Sequence, residues 1–573
     1  MDVNDRPSCQ EADDPKKKVA GSQEAKEVPE GKHIPRILRW EGPVPFPAIP
    51  DTNYASYMLS VLAQYGNQVA LVDAATGEHR TYLEVSRVVP RIRAGLEDAG
   101  VLPEEAILLI TPNHIEFALV LLAVVLQGAA CVPISPDLSP EEVGNIIRVS
   151  EAKWAVVHEA GLDKFGAALA LLPSRTVKEV WVLSDDPAQH SLPTLMTDEL
   201  THKPVQERSF DPRSTAAVIL FSSGTTGVPK GVMLSHTNLL AAVLQSKEVR
   251  AAGKHGDVNK LESVLLMLPV YHSFGFSLLM SCLFSGGKVV IVRKFVPEQF
   301  LHYIHKYQIT FLPIVPHIAH FLSTSPLLDQ YNLSSLRAIG SGSAPVAPST
   351  LATLTQKSGA VTGQGYGTTE CSTTLVSSWV AVNHRSGAVG KILPFIEAKV
   401  VNLETGEMLP ERQEGELCIR GPTLMMGYAN DPKSTAEAID PDGWFHTGDI
   451  VYYDDENFIY ITDRLKDIIK VKGLQVCPSE LERLASNMEG VAEVVVVGVP
   501  SDRFGEVPRA WVVPAPNAHL NPAHLQAYVA ERVSAFKQLR GGVEVVHSLP
   551  KNSLGKVLRR QLRDSYVSLK STM

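Results

Sequence analysis

The sequence predicts an α/β protein with substantially parallel sheets in its larger N-terminal part, followed by a β-rich subdomain and a small C-terminal α+β domain. Three observations carry this. Apolar β-type runs alternate with segments of helical spacing, which is the signature of parallel strands joined by helices. After Ile392 the runs shorten and turn dipeptides crowd between them. From near Asp463 a further set of helix and strand patterns begins.

Taken in order, residues 1 to 40 mix both charges with Pro, Gly and Gln and are expected to be disordered. Strands are expected at Ala106 to Ile110, Trp154 to His158, Val180 to Leu183, Ala216 to Phe221, Ser263 to Leu268, Lys288 to Val292 and Phe311 to Pro313. Ser139 to Ser150 and Pro297 to Tyr307 have helical spacing, and Phe117 to Val132 reads as a buried helix running into a strand. That last stretch is shorter than the roughly 20 residues a membrane span needs. The β-rich part holds Ala398 to Asn402, Glu416 to Arg420 and Phe458 to Ile461, punctuated by Thr405-Gly406, Gly421-Pro422 and Asp442-Gly443. The last unit has helices at Pro478 to Met488 and Pro522 to Val533 and strands at Glu493 to Val499 and Arg509 to Val513.

Composition narrows the function. With 573 residues, 45% of them hydrophobic, the chain can bury more than one core. Its net charge of −9 opposes a polyanionic partner, so nucleic acid is not expected. The 6 cysteines are scattered without a CxxC pair, as free thiols in a reducing compartment would be. The N-terminus has no apolar signal core, and the terminal Ser571-Thr572-Met573 departs from a peroxisomal Ser-Lys-Leu address at two positions. An intracellular, cytoplasmic protein is expected; oligomeric state is left open.

Chemistry concentrates in a few segments. Phe221-Ser222-Ser223-Gly224-Thr225-Thr226-Gly227-Val228-Pro229-Lys230-Gly231 follows an apolar run and offers backbone N–H groups, hydroxyls and a Lys to one anion. It lacks the Gly-Lys-Ser/Thr spacing of a Walker loop, and alone such a cluster is more often a surface turn. Five further segments follow: Gly340-Ser341-Gly342-Ser343-Ala344-Pro345, Gln364-Gly365-Tyr366-Gly367-Thr368-Thr369-Glu370, Gly443-Trp444-Phe445-His446-Thr447-Gly448-Asp449, Asp463-Arg464-Leu465-Lys466-Asp467-Ile468-Ile469-Lys470, and Pro550-Lys551-Asn552-Ser553-Leu554-Gly555-Lys556. In this order they resemble the adenylate-forming superfamily of acyl-CoA synthetases, firefly luciferase and adenylation domains, with the nearest likeness to 4-coumarate:CoA ligase. The resemblance runs from about residue 45 to 565.

The resemblance implies a large N-terminal adenylation domain of stacked α/β sheets with its β-rich subdomain at 41–462, a hinge at 463–466 and a mobile C-terminal α+β domain at 467–573. It implies ATP, Mg²⁺ and coenzyme A as reactants or cofactors and a small carboxylic acid as substrate. A carboxylate is a poor electrophile, and attack on the α-phosphate of ATP gives it AMP as a leaving group; such a site must hold a triphosphate and stabilise charge at the α-phosphoryl. Ser222, Ser223, Gly224, Thr225, Thr226, Gly227 and Lys230 match the loop that holds the β- and γ-phosphates, and Thr225 and Glu370 match the Mg²⁺ ligands. Thr369 matches the α-phosphate contact; Gly365, Tyr366 and Gly367 lie where adenine would stack. Asp449 matches the ribose carboxylate, and Arg464 an arginine that reaches the nucleotide. Lys556 matches the lysine that bridges acid and α-phosphate during adenylation, whereas Lys470 and Gln475 match residues of the thioester stage. Lys466 matches the pivot.

His272, Tyr271, Phe274, Ser341, Gly342, Ser343, Ala344 and Thr368 would line the acyl pocket. The pairs His302/His305 and His317/His320 have no ligand-type neighbour in sequence and give no support for a structural metal. Ser263 to Gly287 contains no Asp or Glu to pair with a substrate ammonium, which favours a non-amino acid substrate. Two alternatives share these motifs: a luciferase-like monooxygenase and a nucleotide-binding relative without catalysis.

Overall fold

The computed structural model describes residues 34–42, 46–174, 176–185, 211–222, 229–252, 262–372, 374–377, 385–471, 474–501, 503–552 and 555–572. Among the described residues the strands form four sheets. Seven strands build the first, in the spatial order Gly427–Tyr428, Lys230–Ser235, Ala216–Ser222, Ala130–Ile134, Ala106–Ile110, Trp154–His158, Glu179–Leu183. From Ala216–Ser222 onward its neighbours are parallel. The second has nine strands, and its parallel part runs in the order Val361–Gly367, Ala338–Ser341, Phe311–Ile314, Ser263–Leu266, Lys288–Ile291, Val69–Asp73.

Parallel neighbours need crossovers, and the sequence supplies helices with clear starts. Ser139 caps Pro140–Ser150 in a reciprocal box with Glu142, and Pro297–Lys306 opens on proline. Phe117–Leu126 is apolar all round and buried along its whole length, as expected of a helix with no solvent face. Both large sheets contribute side chains to one continuous core.

Five strands form the third sheet: Leu38–Arg39, Glu397–Val401, Gly415–Arg420, Phe445–Tyr453 and Ile459–Arg464, all antiparallel. Its first strand corrects the expectation of disorder up to residue 40. Leu38 is buried opposite Ala398, and Arg39 pairs with Glu397 at 2.6 Å. An apolar residue flanked by a charge that finds its counterion outweighed the polar average of the segment. The fourth sheet joins Ile469–Val471 and Leu474–Val476 to the long hairpin Val491–Ser501 and Gly505–Pro514, with helices Pro478–Ser486 and Pro522–Ala530 and its own core around Ile469, Val496 and Leu525.

One buried side chain bridges the two large sheets at several points. Asn113, just beyond the strand Ala106–Ile110, is buried; its Nδ2 lies 3.0–3.1 Å from the carbonyls of Met267, Leu268 and Val292, and its Oδ1 accepts the Val270 N–H at 3.0 Å. These partners follow strands of the other sheet, and the 267–270 turn leads directly into His272. Five cysteines among the described residues are free thiols, and no helix there is long and apolar enough to cross a membrane.

Asn113→Ala strands several buried polar groups at once. It is expected to destabilise the large domain by about 2–4 kcal/mol in chemical denaturation, and a loss below about 0.5 kcal/mol would show that the clamp is dispensable.

Candidate active site

The parallel strands of the second sheet set the site. Ile314, Ser341 and Gln364 are in register at the carboxyl ends of adjacent strands. Ligands of open α/β sheets sit outside that edge. Ser341 to Ala344 and Gly365 to Glu370 therefore lie side by side, and His272 enters from the next strand but one. Phe274 packs on Gly342, where a Cβ would come within 2.8 Å of the ring. The Tyr271 and His272 rings lie tilted with centroids 5.1 Å apart, and burial pulls the His272 imidazole down to about 4, which keeps it neutral at pH 7. The Ser341 hydroxyl is buried without a hydrogen-bond partner among the described residues, an open donor and acceptor in this wall. Ser343 is exposed with φ +73°, Ala344 is half-buried, and Thr368 precedes the short helical turn Thr369–Cys371.

Thr369 Oγ1 lies 3.3 Å from Ser273 Oγ, joining this turn to the helix that follows His272. Glu370 accepts a hydrogen bond at Oε1 from Tyr428 at 3.0 Å, and the Lys230 ammonium sits 4.7 Å above the Tyr428 ring. Tyr428 is a residue the motif reading missed; its only sequence cue is a lone aromatic after Gly427. Ser222 and Lys230 face each other in a hairpin. Ser223, Gly224, Thr225, Thr226 and Gly227 lie outside the described residues. Glu370 retains a free carboxylate oxygen among the described groups, and a hard oxygen donor of this kind fits Mg²⁺ shared with phosphate oxygens.

The nucleotide-matching residues meet at Asp449. Its side chain is almost wholly buried; Oδ2 accepts from the Tyr366 hydroxyl at 2.6 Å, and Oδ1 forms an ion pair with Arg464 Nε at 2.8 Å. Asp449 and Arg464 are cross-strand partners, whereas Tyr366 arrives from the second sheet between Gly365 and the exposed Gly367. Burial and the Asp449 charge raise the Tyr366 phenol well above its usual value, so it remains a donor. Each carboxylate oxygen keeps a second lone pair for another donor.

Lys556 reaches the same place from the small domain. Asn552 holds its loop: Oδ1 accepts the Lys556 N–H at 2.9 Å, and Gly555, at φ +76°, lies so close to the helix Pro316–Thr324 that a Cβ would stand 2.5 Å from His317 Nδ1. Burial, then Arg464 and Lys466, pull the Lys556 ammonium down to about 8, while Asp449 and Asp467 oppose the shift. Arg464, Lys466 and Lys556 thus gather with Asp449 and Asp467, and Glu370 also acts on Arg464 and Lys466.

Lys466, expected as the pivot, is exposed in the turn where the Asp467 N–H donates to the Arg464 carbonyl at 2.9 Å. Lys470 and Gln475 pair across a separate hairpin; both are exposed, and the Lys470 N–H donates to Glu506 at 3.0 Å. They stand apart from the Asp449 cluster in their hydrogen bonding. A further group, His114, His158 and Asp185, has ligand atoms within 4.8 Å of one another. Each His accepts a backbone N–H at Nδ1, which puts the proton of the neutral ring on Nε2 facing Asp185, and Arg293 already holds that carboxylate in a fork. The geometry is that of two rings beside an ion pair rather than a metal site.

Residues 60–429 match the model of the AMP-binding enzyme family and residues 480–556 that of the AMP-binding enzyme C-terminal domain. The chain is 35% identical to a 4-coumarate–CoA ligase of Pinus taeda, covering 89% of this chain and 94% of that one. It is 32% identical to the luciferin 4-monooxygenase of Photinus pyralis, covering 92% and 97%. Among solved structures, ATP-bound MatB from Rhodopseudomonas palustris matches with a TM-score of 0.80 at 28% identity, covering 89% of this chain and 99% of that one.

Side-chain NMR of Lys556 tests the electrostatics. The ammonium is expected to titrate near pH 8. Asp449→Asn removes a charge that favours the cation and is expected to move the midpoint lower still; a midpoint above about 10 in the parent protein contradicts the burial argument.

Proposed function

Because the chain belongs to the AMP-binding enzyme family of adenylate-forming ligases, we propose that it joins a non-amino carboxylic acid to coenzyme A at the expense of ATP. The acid and ATP first give acyl-AMP and pyrophosphate; the thiol of coenzyme A then displaces AMP. The observation that carries this is the convergence of Tyr366, Arg464 and Lys556, from two sheets and the C-terminal loop, on the buried carboxylate of Asp449.

In the proposed mechanism Asp449 accepts hydrogen bonds from the ribose hydroxyls with the lone pairs that Tyr366 and Arg464 leave open. Lys230 and the 222–228 loop bind the outer phosphates. Thr369 binds the α-phosphate, and Glu370 holds Mg²⁺, which when bound neutralises phosphate charge. Lys556 stands between the acid carboxylate and the α-phosphoryl and stabilises the negative charge that builds there. Neutral His272, with Phe274, Gly342 and Ser341, orients the acid without adding charge. The absence of any Asp or Glu from 263 to 287 favours an acid that carries no ammonium.

Pyrophosphate release across a panel of organic acids, with and without coenzyme A, tests the activity. Acid-dependent release with thioester formation supports it, and acid-dependent release that yields AMP and light in oxygen without thioester would mark a luciferase-like monooxygenase instead. Lys556→Ala is expected to slow adenylation by about 100-fold, or roughly 2.7 kcal/mol, and to leave conversion of a supplied acyl-adenylate within about threefold. Equal loss in both half-reactions would remove Lys556 from its role.

Lys466 is proposed as the pivot that exchanges Lys556 for Lys470 and Gln475. Proline at 466 fixes φ near roughly −65°. Lys466→Pro is expected to keep adenylation within about tenfold and to slow thioester formation far more; normal thioester turnover in a folded variant would refute alternation about this residue.

A further inference from the structure

The strand that carries Asp449 is interrupted where the carboxylate stands. Glu416 faces Ile450 and Cys418 faces His446, so Leu417 alone lies opposite Thr447, Gly448 and Asp449. This is a bulge of three residues against one, and a bulge strands ladder donors and acceptors. Side chains take them up: Thr447 Oγ1 donates to the Leu417 carbonyl at 2.8 Å and accepts the Asp449 N–H at 3.1 Å. The remaining orphan is the Gly448 N–H, at a residue with φ +68°, and Glu416 Oε1 accepts it at 2.9 Å. The other oxygen of Glu416 accepts from His446 Nδ1 at 2.8 Å, and Asp440 Oδ2 stands 3.7 Å from His446 Nε2.

Glu416 is thus anchored at one oxygen and supports the turn at the other. We propose that Glu416 is the positioning residue that holds the 447–449 bulge in shape and thereby sets the Asp449 carboxylate on the nucleotide ribose; this rests on the nucleotide site described under the proposed function.

Glu416, Cys418 and His446 also have ligand atoms within 4.8 Å of one another. Both oxygens of Glu416 already accept N–H groups, and burial pushes the fully enclosed Cys418 thiol up to about 12, so neither is offered as a ligand near neutral pH. The trio serves the backbone. His446 orients Glu416, and Cys418 Sγ lies 3.5 Å from His446 Nδ1.

The test is a cycle between the side chain and the ribose. Binding of ATP, 2′-deoxy-ATP and 3′-deoxy-ATP to the full chain is measured by calorimetry, together with Michaelis constants for ATP and for the acid. Glu416→Ala is expected to weaken ATP about tenfold and to leave the Michaelis constant of the acid unchanged. Removing the ribose hydroxyl that meets Asp449 is expected to weaken the parent about tenfold and the variant less than about threefold, because the contact is already lost. Glu416→Gln keeps an acceptor for Gly448, and His446 can change tautomer to meet the amide. It is expected to remain within about threefold of the parent. If Glu416→Ala does not fold, Glu416→Asp, which keeps the charge but shortens the reach, takes its place in the cycle. Equal penalties for ATP and both deoxy analogues, or a Gln variant as poor as Ala, overturn the positioning role. A parent protein that binds none of the three nucleotides overturns the nucleotide reading itself, before any variant is compared.

Discussion

A carboxylate taken out of water costs several kcal/mol unless donors surround it, and Asp449 has only 2% of its surface exposed. The partners that make its burial tolerable come from distant parts of the chain. Tyr366 approaches from the second sheet, Arg464 from the neighbouring strand of the third, and the positive field of Lys556 from the last loop of the small domain. Each of them is itself costly to bury, and each is satisfied by the same group. The arrangement therefore draws three structural units to one carboxylate.

The same logic explains the large domain. Two sheets can stack by apolar burial alone, but stacking does not fix how one slides against the other. Asn113 does, because its amide reaches three carbonyls and one N–H in the turn beyond the strand Ser263–Leu266. That turn aims His272 and Phe274 at the carboxyl ends of Ala338–Ser341 and Val361–Gly367. A polar clamp between apolar layers thus converts general packing into a defined pocket wall, at the edge where open α/β sheets bind their ligands.

What was legible in the sequence follows from range. The apolar run Ala106 to Ile110 and the capped helix after Ser139 are local patterns, and both stand where periodicity puts them. The Gly-rich and Thr-Gly-Asp segments were legible because their residues are close together in sequence. Leu38 was missed because a two-residue strand is too short for any pattern and exists only through its pairing with Ala398. Asn113, Glu416 and Tyr428 were missed for a related reason: each acts on groups that lie 30 to more than 150 positions away. A single Asn, Glu or Tyr carries no sign of such partners. The bulge at 447–449 was equally hidden, since its cause is a mismatch in length between two strands.

The junction between the large and small domains shows how a tight contact and a proposed rotation coexist. Ser479, on the far side of Lys466, gives its N–H to Asp463 Oδ2 at 3.2 Å and its hydroxyl to the same oxygen at 3.0 Å, with the Thr462 carbonyl also in contact. Asp463 spends its other oxygen on the Arg464 N–H at 2.8 Å. A turn about Lys466 carries Ser479 away from 462–463, so these bonds belong to one orientation of the small domain. They are few, and partly open to water, which can replace them; each contributes about 1 kcal/mol net. Lys556 adds its own preference for this orientation, which charge on the α-phosphoryl strengthens. Once pyrophosphate has left, that attraction falls, and the remaining bonds are of a size that thermal motion and a competing set of contacts at Lys470 and Gln475 can overcome. On the proposed mechanism the progress of the reaction itself thus releases the domain, and no separate trigger is required.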